Sequence, residues 1–235
     1  YTRVKGQSGT NCLAANTLTL AEKIQYFLID SRYWEVTTPI NGDIFSNSNS
    51  LFYWWFRTYG KTTGSLPLFT GCPNLRYMLA PSNAFTGNLP NFGTVPLIYY
   101  INLSNNNFSG TIPSLTNLTN LRYLFLQSNS FTTLGTFSNL SRLEFFYAHG
   151  NSLSGSMVDF SGCLKLQRLY LYNNQLTDYE NGYLSNNTSL RFLYLQNNSF
   201  SQTSINKIIE DLYTNYTNFS RSGVIVNLTN NAAPG

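Results

Sequence analysis

The sequence predicts a solenoid of stacked repeats, and three observations support this fold class. Leucine sets closed by an asparagine recur at intervals of 22 to 24 residues over most of the chain. One such unit cannot bury its leucines alone, whereas stacked units share a continuous core. Aromatic residues make up 16% of the chain and charged residues only 10%, a balance that indicates a folded protein.

The repeats become visible when the asparagine that closes each leucine set is aligned. Six copies align well, and they close at Asn83, Asn106, Asn129, Asn151, Asn174 and Asn198. A degenerate copy, LFYWWFRTY, precedes them with Tyr59 in the asparagine position, and a longer last copy ends at Asn231. Because an asparagine side chain carries two donors and an acceptor, these residues are predicted to satisfy buried backbone groups where the chain turns.

The pattern L-x-x-L-x-L-x-x-N-x-L resembles the leucine-rich repeat family over about residues 51–231. The resemblance implies one short parallel strand per repeat on a concave face, about eight strands in all, with irregular turns on the convex side. Segments such as NNFSGTIP also resemble the plant-type LxGxIP variant. Its glycines fit a tight turn and its prolines suit positions outside a strand ladder. These residues are Gly87, Gly110, Gly155, Pro90 and Pro113.

Short helices are predicted to cap both ends of the solenoid. At the front, Thr19 and Glu22 form a capping-box pair in TLAEKIQYFLI. At the back, Ser204 is the predicted N-cap of a helix, and GVIVNL follows as the last strand. Both segments have apolar residues at helical spacing. These are Leu20, Ile24, Phe27 and Leu28 at the front, and Ile205, Ile208, Ile209 and Leu212 at the back.

The predicted organisation is an N-terminal cap at 1–50, leucine-rich repeats at 51–198 and a C-terminal helix–strand capping repeat at 199–235. Residues 1–50 are assigned to a cap because they contain turn-rich stretches and no recognisable repeat. The start at Tyr1, without an initiator methionine, indicates a processed product or a fragment of a longer protein.

The residues between the leucines are predicted to point outward from each strand, because neighbouring side chains on a strand alternate between faces. We name the outward rows by their position in L-x-x-L-x-L. Row two is Phe52, Arg76, Tyr99, Arg122, Glu144, Gln167 and Arg191. Row three is Tyr53, Tyr77, Tyr100, Tyr123, Phe145, Arg168 and Phe192. Row five is Trp55, Leu79, Asn102, Phe125, Tyr147, Tyr170 and Tyr194.

These rows have a structural and a functional interpretation. Aromatic residues on neighbouring strands support each other by packing across the sheet. A large continuous apolar patch also marks interaction, and Tyr, Trp and Arg are enriched at binding hot spots. Flat aromatic faces beside polar groups can equally stack on sugar rings, so the predicted partner is a protein or a glycan. The predicted binding residues are Tyr53, Trp55, Arg76, Tyr77, Tyr99, Tyr100, Arg122, Tyr123, Phe125, Phe145, Tyr147, Arg168, Tyr170, Arg191, Phe192 and Tyr194.

Catalysis has little support in the sequence. The single histidine, His149, lies in the turn AHGN without an obvious partner and is predicted to be structural. The chain shows no nucleophile elbow, phosphate loop or HExxH motif. A glycosidase pair formed by two distant carboxylates stays open as an alternative. We therefore expect a protein that is not an enzyme and has no cofactor.

Charge, hydropathy and cysteine content argue against several further classes of function. The formal charge of +4 is scattered, without the basic stripe of nucleic-acid-binding proteins. No apolar run approaches the roughly 20 residues of a membrane-spanning helix. Cys12, Cys72 and Cys163 are too sparse for a disulfide framework, lack zinc-site spacing and are predicted to be buried apolar residues. We expect no nucleic-acid partner, no membrane insertion and no metal.

Glycosylation sequons are abundant, at Asn102, Asn107, Asn117, Asn139, Asn187, Asn215, Asn218 and Asn227 among others. In a eukaryotic secreted protein such sequons predict glycans. A chain rich in Asn, Ser and Thr also produces them by chance, so they indicate secretion only weakly.

The chain resembles two kinds of leucine-rich repeat protein. Plant receptors and inhibitors share the FSGTIP variant, but they carry paired cysteines in their caps. Virion proteins of marine bacteriophages share the low charge, the TGCPNL turn and the RSGVIVNL end. That second resemblance implies a tail or fibre component, on the virion surface or extracellular, that adheres to a host surface molecule. The alternatives are a structural subunit whose concave face packs on a neighbouring virion subunit, and a secreted plant-type recognition or inhibitor protein.

Overall fold

The computed structural model describes residues 25–30, 45, 48–60, 62–219 and 223–231, without the side chains of residues 30 and 216–219. Over these residues the chain winds into a solenoid of parallel strands, which confirms the predicted fold class. The elements, in chain order, are β1 (Tyr26–Asp30), β2 (Tyr53–Arg57), β3 (Thr63–Gly64), β4 (Tyr77–Leu79), β5 (Ala84–Gly87), a 3-10 helix (Phe92–Thr94), β6 (Tyr100–Asn102), β7 (Asn107–Thr111), β8 (Tyr123–Phe125), β9 (Ser130–Thr133), β10 (Phe145–Tyr147), β11 (Ser154–Ser156), β12 (Arg168–Tyr170), β13 (Gln175–Asp178), β14 (Phe192–Tyr194), α1 (Gln202–Phe219) and β15 (Ile225–Asn227).

Among the described residues, nine parallel strands form the main sheet, in the order β1-β2-β4-β6-β8-β10-β12-β14-β15. In each main-sheet strand from β4 to β14, the middle side chain is buried and its two neighbours are half-exposed. This alternation is expected of strands that cover a core with one face only. The sequence predicts about eight strands, and the additional one is β1.

Most repeats make a second short strand after the chain turns. These strands pair as β3-β5-β7-β9 and β11-β13. Gly87, Gly110 and Gly155 lie in them with φ of 80°, 73° and 75°, backbone angles that favour glycine. At Gly110, a Cβ atom would also collide with Oδ1 of Asn88. These glycines thus have the backbone angles expected of glycine, but they lie within short strands and not in the predicted tight turn.

The leucines of the repeats and a set of phenylalanines fill the core. Leu121, Leu124 and Leu126 are essentially inaccessible to solvent. Phe85, Phe108 and Phe131 stack on one another through successive coils, with centroid separations of 6.0 and 6.3 Å. Because each coil packs on the next in this way, the core is continuous along the solenoid, as expected of repeats that cannot bury their leucines alone.

The asparagine that closes each repeat joins two neighbouring coils, as predicted. Oδ1 of Asn129 accepts a hydrogen bond from the N–H of Phe108 at 3.1 Å. Its Nδ2 donates to the carbonyls of Leu103 at 3.0 Å and Leu126 at 3.1 Å. The equivalent contacts recur at Asn83, Asn106, Asn151, Asn174, Asn198 and Asn231.

In the first coil a pair of threonines replaces this asparagine. Tyr59 has a φ of 55°, and in the later repeats a φ of 54° to 65° belongs to the residue before the asparagine. The asparagine position is thus Gly60, one residue later than predicted. Oγ1 of Thr58 accepts a hydrogen bond from the N–H of Thr62 at 3.0 Å and donates to Oδ1 of Asn83 at 2.7 Å. The Thr58 hydroxyl thus joins this coil to the following one, through the asparagine of that coil.

The prediction of an N-terminal helix is wrong for the part of that segment that the structure describes. Tyr26–Asp30 forms strand β1, which pairs with β2 in parallel. Phe27 enters the core and meets Phe45 edge-on at 5.4 Å. A short apolar segment fits both helical and strand periodicity, and pairing with the edge of β2 satisfies its backbone groups. The predicted capping box at Thr19 and Glu22 lies outside the described residues.

The C-terminal helix α1 forms as predicted but starts earlier. Ser201, not Ser204, is the N-cap, because its carbonyl accepts the N–H of Ile205 at 2.9 Å and its hydroxyl accepts the N–H of Ser204 at 3.2 Å. The hydroxyl of Ser204 accepts the N–H of Tyr179 at 3.2 Å instead. Ile209, predicted to face the core, is 51% exposed.

Polar residues, together with apolar ones, form the face of α1 that packs against the solenoid. The carboxylate of Asp211 is almost fully buried and accepts hydrogen bonds from the Tyr179 hydroxyl and from the N–H groups of Gly182 at 2.9 Å and Leu184 at 3.2 Å. Nδ2 of Asn215 donates to the carbonyl of Leu184 at 2.7 Å. Burial and the contact with Asp211 raise the pKa of Tyr179. The helix is thus fixed to the turn at 179–184 by hydrogen bonds that an apolar stripe would lack.

Cys72 and Cys163 are buried in equivalent turns, as predicted. Sγ of Cys163 donates to the carbonyl of Phe137 at 3.3 Å, and Sγ of Cys72 to that of Phe45 at 3.6 Å. Burial, with Asp159 nearby, raises the pKa of Cys163 to about 12. This thiol is therefore held in its protonated, unreactive form. Cys12 lies outside the described residues.

Candidate binding face

The outward side chains of the main sheet form one continuous surface, which we call the concave face. Backbone register aligns the seven residues of row three with one another and the seven of row five with one another, as predicted. Strand β1 adds Tyr26 and Leu28 to these rows, and β15 adds Ile225 and Asn227. Every residue predicted to bind a partner is at least partly exposed on this surface.

Row five contains a stack of three tyrosines. The rings of Tyr147 and Tyr170 lie 4.4 Å apart at 10°, and those of Tyr170 and Tyr194 lie 4.6 Å apart at 9°. Phe125 meets Tyr147 edge-on at 4.9 Å and 66°. Because the stacked faces cover each other, the ring edges and hydroxyls remain for a partner. Both flat faces of Tyr170 are therefore covered and closed to a sugar ring.

The rings of row three touch one another at larger angles. Tyr53 and Tyr77 lie 5.4 Å apart at 36°, and Tyr123 and Phe145 lie 5.2 Å apart at 68°. Row two fills the gaps, with Tyr99 meeting Tyr123 edge-on at 5.5 Å. Burial, assisted by Tyr99 and Glu144, raises the pKa of Tyr123 to about 12. Its phenol is therefore a hydrogen-bonding group and not an anion at neutral pH.

Arg168 is the one member of row three between β2 and β14 that is not aromatic. Its guanidinium carbon lies 4.7 Å from the ring centre of Phe145 and 5.2 Å from that of Phe192. Its Nη1 donates to the hydroxyl of Tyr147 at 3.4 Å. These contacts hold the guanidinium between two rings, an arrangement that favours a cation through the negative faces of the rings.

Arg122, two strands away in row two, has a different environment. Its Nη1 lies 3.2 Å from Oε1 of Glu144, and its guanidinium carbon lies 5.4 Å from the ring centre of Tyr99. Oε2 of the same carboxylate accepts the hydroxyl of Tyr123 at 3.2 Å. Glu144 therefore neutralises Arg122 within the chain and has no oxygen left without a contact.

A further outward row, beyond the end of the L-x-x-L-x-L motif, lies two residues after row five. This row seven is Arg57, Pro81, Ser104, Gln127, His149, Tyr172, Gln196 and Thr229. His149 stacks on Tyr172 at 4.1 Å and 8°, and burial lowers the pKa of His149. The sequence gives no obvious partner for His149, and the structure supplies one in Tyr172. Extending the strand period by one step past the motif would have found this row.

Most charged side chains described on the concave face are basic, and Asp30 lies at the register position of Arg57 on the neighbouring strand. Among its described side chains, Arg57, Arg76, Arg122, Arg168 and Arg191 carry positive charge and Glu144 carries negative charge. No carboxylate among the described residues lies within salt-bridge distance of Arg168 or Arg191. The excess of arginine suits a partner that presents acidic groups.

The described residues offer no cluster for a metal ion. They contain no group of three or more His, Cys, Asp or Glu side chains placed to hold a metal ion. The single described α-helix is also not long and apolar enough to cross a membrane. What the face provides is aromatic area, hydroxyls and guanidinium groups, which are the groups of a recognition surface.

Two family models match the sequence of this solenoid. A leucine-rich repeat model covers residues 98–118, and a model of two leucine-rich repeat copies covers residues 164–213. The chain carries leucine-rich repeats. A comparison with curated protein sequences finds no match.

Solved leucine-rich repeat structures share the fold. The functional domain of InlJ from Listeria monocytogenes superposes with a TM-score of 0.60 at 18% identity, over 79% of this chain and 36% of that one. InlP from Listeria monocytogenes gives 0.58 at 26% identity, over 76% and 48%. The plant peptide hormone receptor RGFR1, in complex with RGF2, gives 0.56 at 22% identity, over 88% and 36%. The chain spans less than half the length of these leucine-rich repeat structures.

Proposed function

We propose that this leucine-rich repeat chain is a non-enzymatic binding module that holds a protein partner on its concave face. The observation that carries the proposal is the continuity of the surface. Aromatic rings from successive strands touch one another from Tyr26 at one edge to Tyr194 near the other, with arginines among them. Large apolar surfaces of this kind mark interaction sites, and Tyr and Arg are hot-spot residues.

The stacked tyrosines favour a protein over a glycan. A sugar ring packs on an open aromatic face, whereas the faces within the Tyr147–Tyr170–Tyr194 stack are covered by their neighbours. Ring edges and phenol hydroxyls match the mixture of apolar and polar groups on a protein surface. Among the similar leucine-rich repeat structures, RGFR1 is a plant peptide hormone receptor in complex with RGF2, which supports the same class of partner.

The setting we propose is extracellular or on a virion surface. The sequence resembles leucine-rich repeat virion proteins of marine bacteriophages, and on that basis the partner is a protein on a host surface, met by a tail or fibre component. The alternatives are a structural subunit whose concave face packs on a neighbouring subunit, and a plant-type recognition or inhibitor protein. All three use the same face.

The test is a binding titration with peptides selected on the immobilised chain from a random library displayed on yeast. The double variant Tyr123→Ala/Tyr147→Ala should weaken the binding of the selected peptides by at least about tenfold, because each substitution removes a ring from the centre of the face. Leu164→Ala is the control, since Leu164 is exposed in a turn outside the main sheet. Unchanged binding by a double variant with native thermal unfolding would contradict the proposal.

A further inference from the structure

Arg168 interrupts an otherwise aromatic row. From β1 to β14, backbone register places an aromatic residue at each of the remaining positions of row three. They are Tyr26, Tyr53, Tyr77, Tyr100, Tyr123, Phe145 and Phe192. Seven strands use an aromatic residue at this position, so cross-strand packing does not require an arginine. The arginine adds what none of them has, a permanent positive charge and five N–H donors.

The guanidinium of Arg168 is held in place before any partner arrives. Phe145 and Phe192 contact it from the two neighbouring strands, at 4.7 and 5.2 Å, and the hydroxyl of Tyr147 accepts one of its donors at 3.4 Å. Arginine normally loses much side-chain freedom on binding. Contacts that fix its orientation in advance reduce that loss, so Arg168 is prepared for an interaction.

Its charge is not neutralised within the described part of the chain. Arg122 provides the comparison, since it forms a salt bridge with Glu144 at 3.2 Å on the same face. For Arg168, the described residues provide a single hydrogen bond and no carboxylate. The Tyr147 hydroxyl that contacts Arg168 belongs to the ring stack that continues through Tyr170 and Tyr194. The planar guanidinium and the hydroxyls of this stack offer donors to one incoming anion.

The flat clamp around Arg168 points to a carboxylate. Phosphate groups carry nearly two charges and are recognised by clusters of arginine. A carboxylate carries one charge, and its two oxygens match the fork of a single guanidinium. Arg168 is clamped singly between two phenylalanines, so a singly charged planar group fits it.

We propose that Arg168 anchors the carboxylate of an Asp or Glu side chain, supplied by an acidic segment of a protein partner that lies along the Tyr147–Tyr170–Tyr194 stack. This inference rests on the proposed function and specifies its partner. Arg122, already paired with Glu144, contributes little to the same recognition. The excess of arginine on the concave face adds attraction for an acidic segment at longer range.

The experiment uses the yeast-displayed peptide library, attached through its C-terminal ends so that acidic side chains supply the carboxylates. Peptides selected on the chain should be enriched in Asp and Glu. Arg168→Gln should weaken the binding of these peptides by at least about tenfold. Arg142→Gln removes the same charge from an exposed turn outside the main sheet and should change their binding by less than about threefold. Replacing the Asp or Glu of a selected peptide with Asn or Gln should produce the same loss, and Arg168→Gln should add nothing further to it.

A second variant separates recognition from structure. Arg168→Phe restores the aromatic residue that the other strands have, so it should keep the thermal unfolding midpoint and still lose acidic-peptide binding. Selected peptides that depend on Tyr123 and Tyr147 but are not acidic, or are insensitive to Arg168→Gln, would overturn the carboxylate anchor and leave the proposed function standing. A library that gives no peptide dependent on the concave face would overturn both.

Discussion

Tyr147 and Tyr170 stack face to face, with ring centres 4.4 Å apart and planes 10° apart, so each ring shields one flat side of the other. Tyr194 continues the stack at 4.6 Å, which leaves Tyr170 covered on both sides. The middle tyrosine is therefore the member whose loss breaks two contacts at once.

Tyr170→Ala should lower the free energy of unfolding by about 1–3 kcal/mol, since each aromatic pair contributes about 0.5–1.5 kcal/mol beyond the area it buries. Urea denaturation measures this change. Tyr170→Phe is the matched control and should remain within about 0.5 kcal/mol of the wild type, because it keeps the ring and removes only the hydroxyl. Equal stability of the two variants would show that the stack contributes little to the fold.

Asn129→Ala should destabilise the chain by about 1–3 kcal/mol, because the N–H of Phe108 and the carbonyls of Leu103 and Leu126 lose their partner. Urea denaturation again provides the measurement. Asn107→Ala, at an exposed position of strand β7, should have a small effect. An unchanged midpoint for Asn129→Ala would argue against the bridging role of the asparagine.

Acidification should weaken the fold through His149. Burial lowers the pKa of His149 in the folded chain, so its neutral form is preferred there. Its contribution to stability is complete above the unfolded-state pKa of about 6.5 and is lost as the pH falls below it. Thermal unfolding between pH 8 and pH 5 should therefore show a steeper fall for the wild type than for His149→Gln. Glutamine is the residue that row seven has in the β8 and β14 repeats, at Gln127 and Gln196. Parallel pH profiles for the two proteins would rule out this role of the histidine.

Asp211→Asn should lower the free energy of unfolding by at least about 2 kcal/mol. The substitution replaces one acceptor oxygen with a donor, and that donor faces the Tyr179 hydroxyl and the N–H groups of Gly182 and Leu184. Glu210→Gln removes the same charge from an exposed position of α1 and keeps a side-chain oxygen for the Asn181 amide, so it is the control. Hydrogen exchange of α1 should accelerate in Asp211→Asn only. Equal exchange in the two variants would show that charge, not the buried contacts, decides the docking of the helix.

The structure separates the sequons into accessible and inaccessible sites. Asn117 and Asn139 are exposed in turns, whereas Asn187 is 2% exposed and donates to the carbonyls of Phe160 and Cys163 at 2.9 Å. Chain secreted in folded form from a eukaryotic host should carry glycans at Asn117 and Asn139 and none at Asn187. Mass spectrometry before and after enzymatic deglycosylation measures this. A glycan on Asn187 in folded protein would mean that this turn opens enough to expose the side chain.

The sequence predicts the solenoid and its outward rows well because the repeat specifies both at once. Six copies of one pattern fix the buried leucines, and strand alternation then fixes Tyr123 and Phe125 on the opposite face. The ends are predicted less well because they occur once. Tyr26–Asp30 satisfies helical spacing as well as strand alternation, and only the edge of β2 decides between them.

The chemistry of the face depends on contacts that no periodicity contains. The rows predict that Arg122 and Arg168 are outward, but the pairing of Arg122 with Glu144 and the clamping of Arg168 by Phe145 and Phe192 require side-chain positions. The same holds for His149, whose neighbour in space, Tyr172, belongs to the next repeat along the chain.

The closing asparagines also determine how the length of the solenoid can change. Each bridges its own coil and the one before it, so a complete coil brings the groups that its neighbours need. Gain or loss of a whole repeat would preserve every bridge, whereas a shift of a few residues would break the bridges on both sides. The footprint available to a partner can therefore grow only in increments of one strand spacing, about 4.8 Å each, and variants of different span would be expected to keep the same local chemistry.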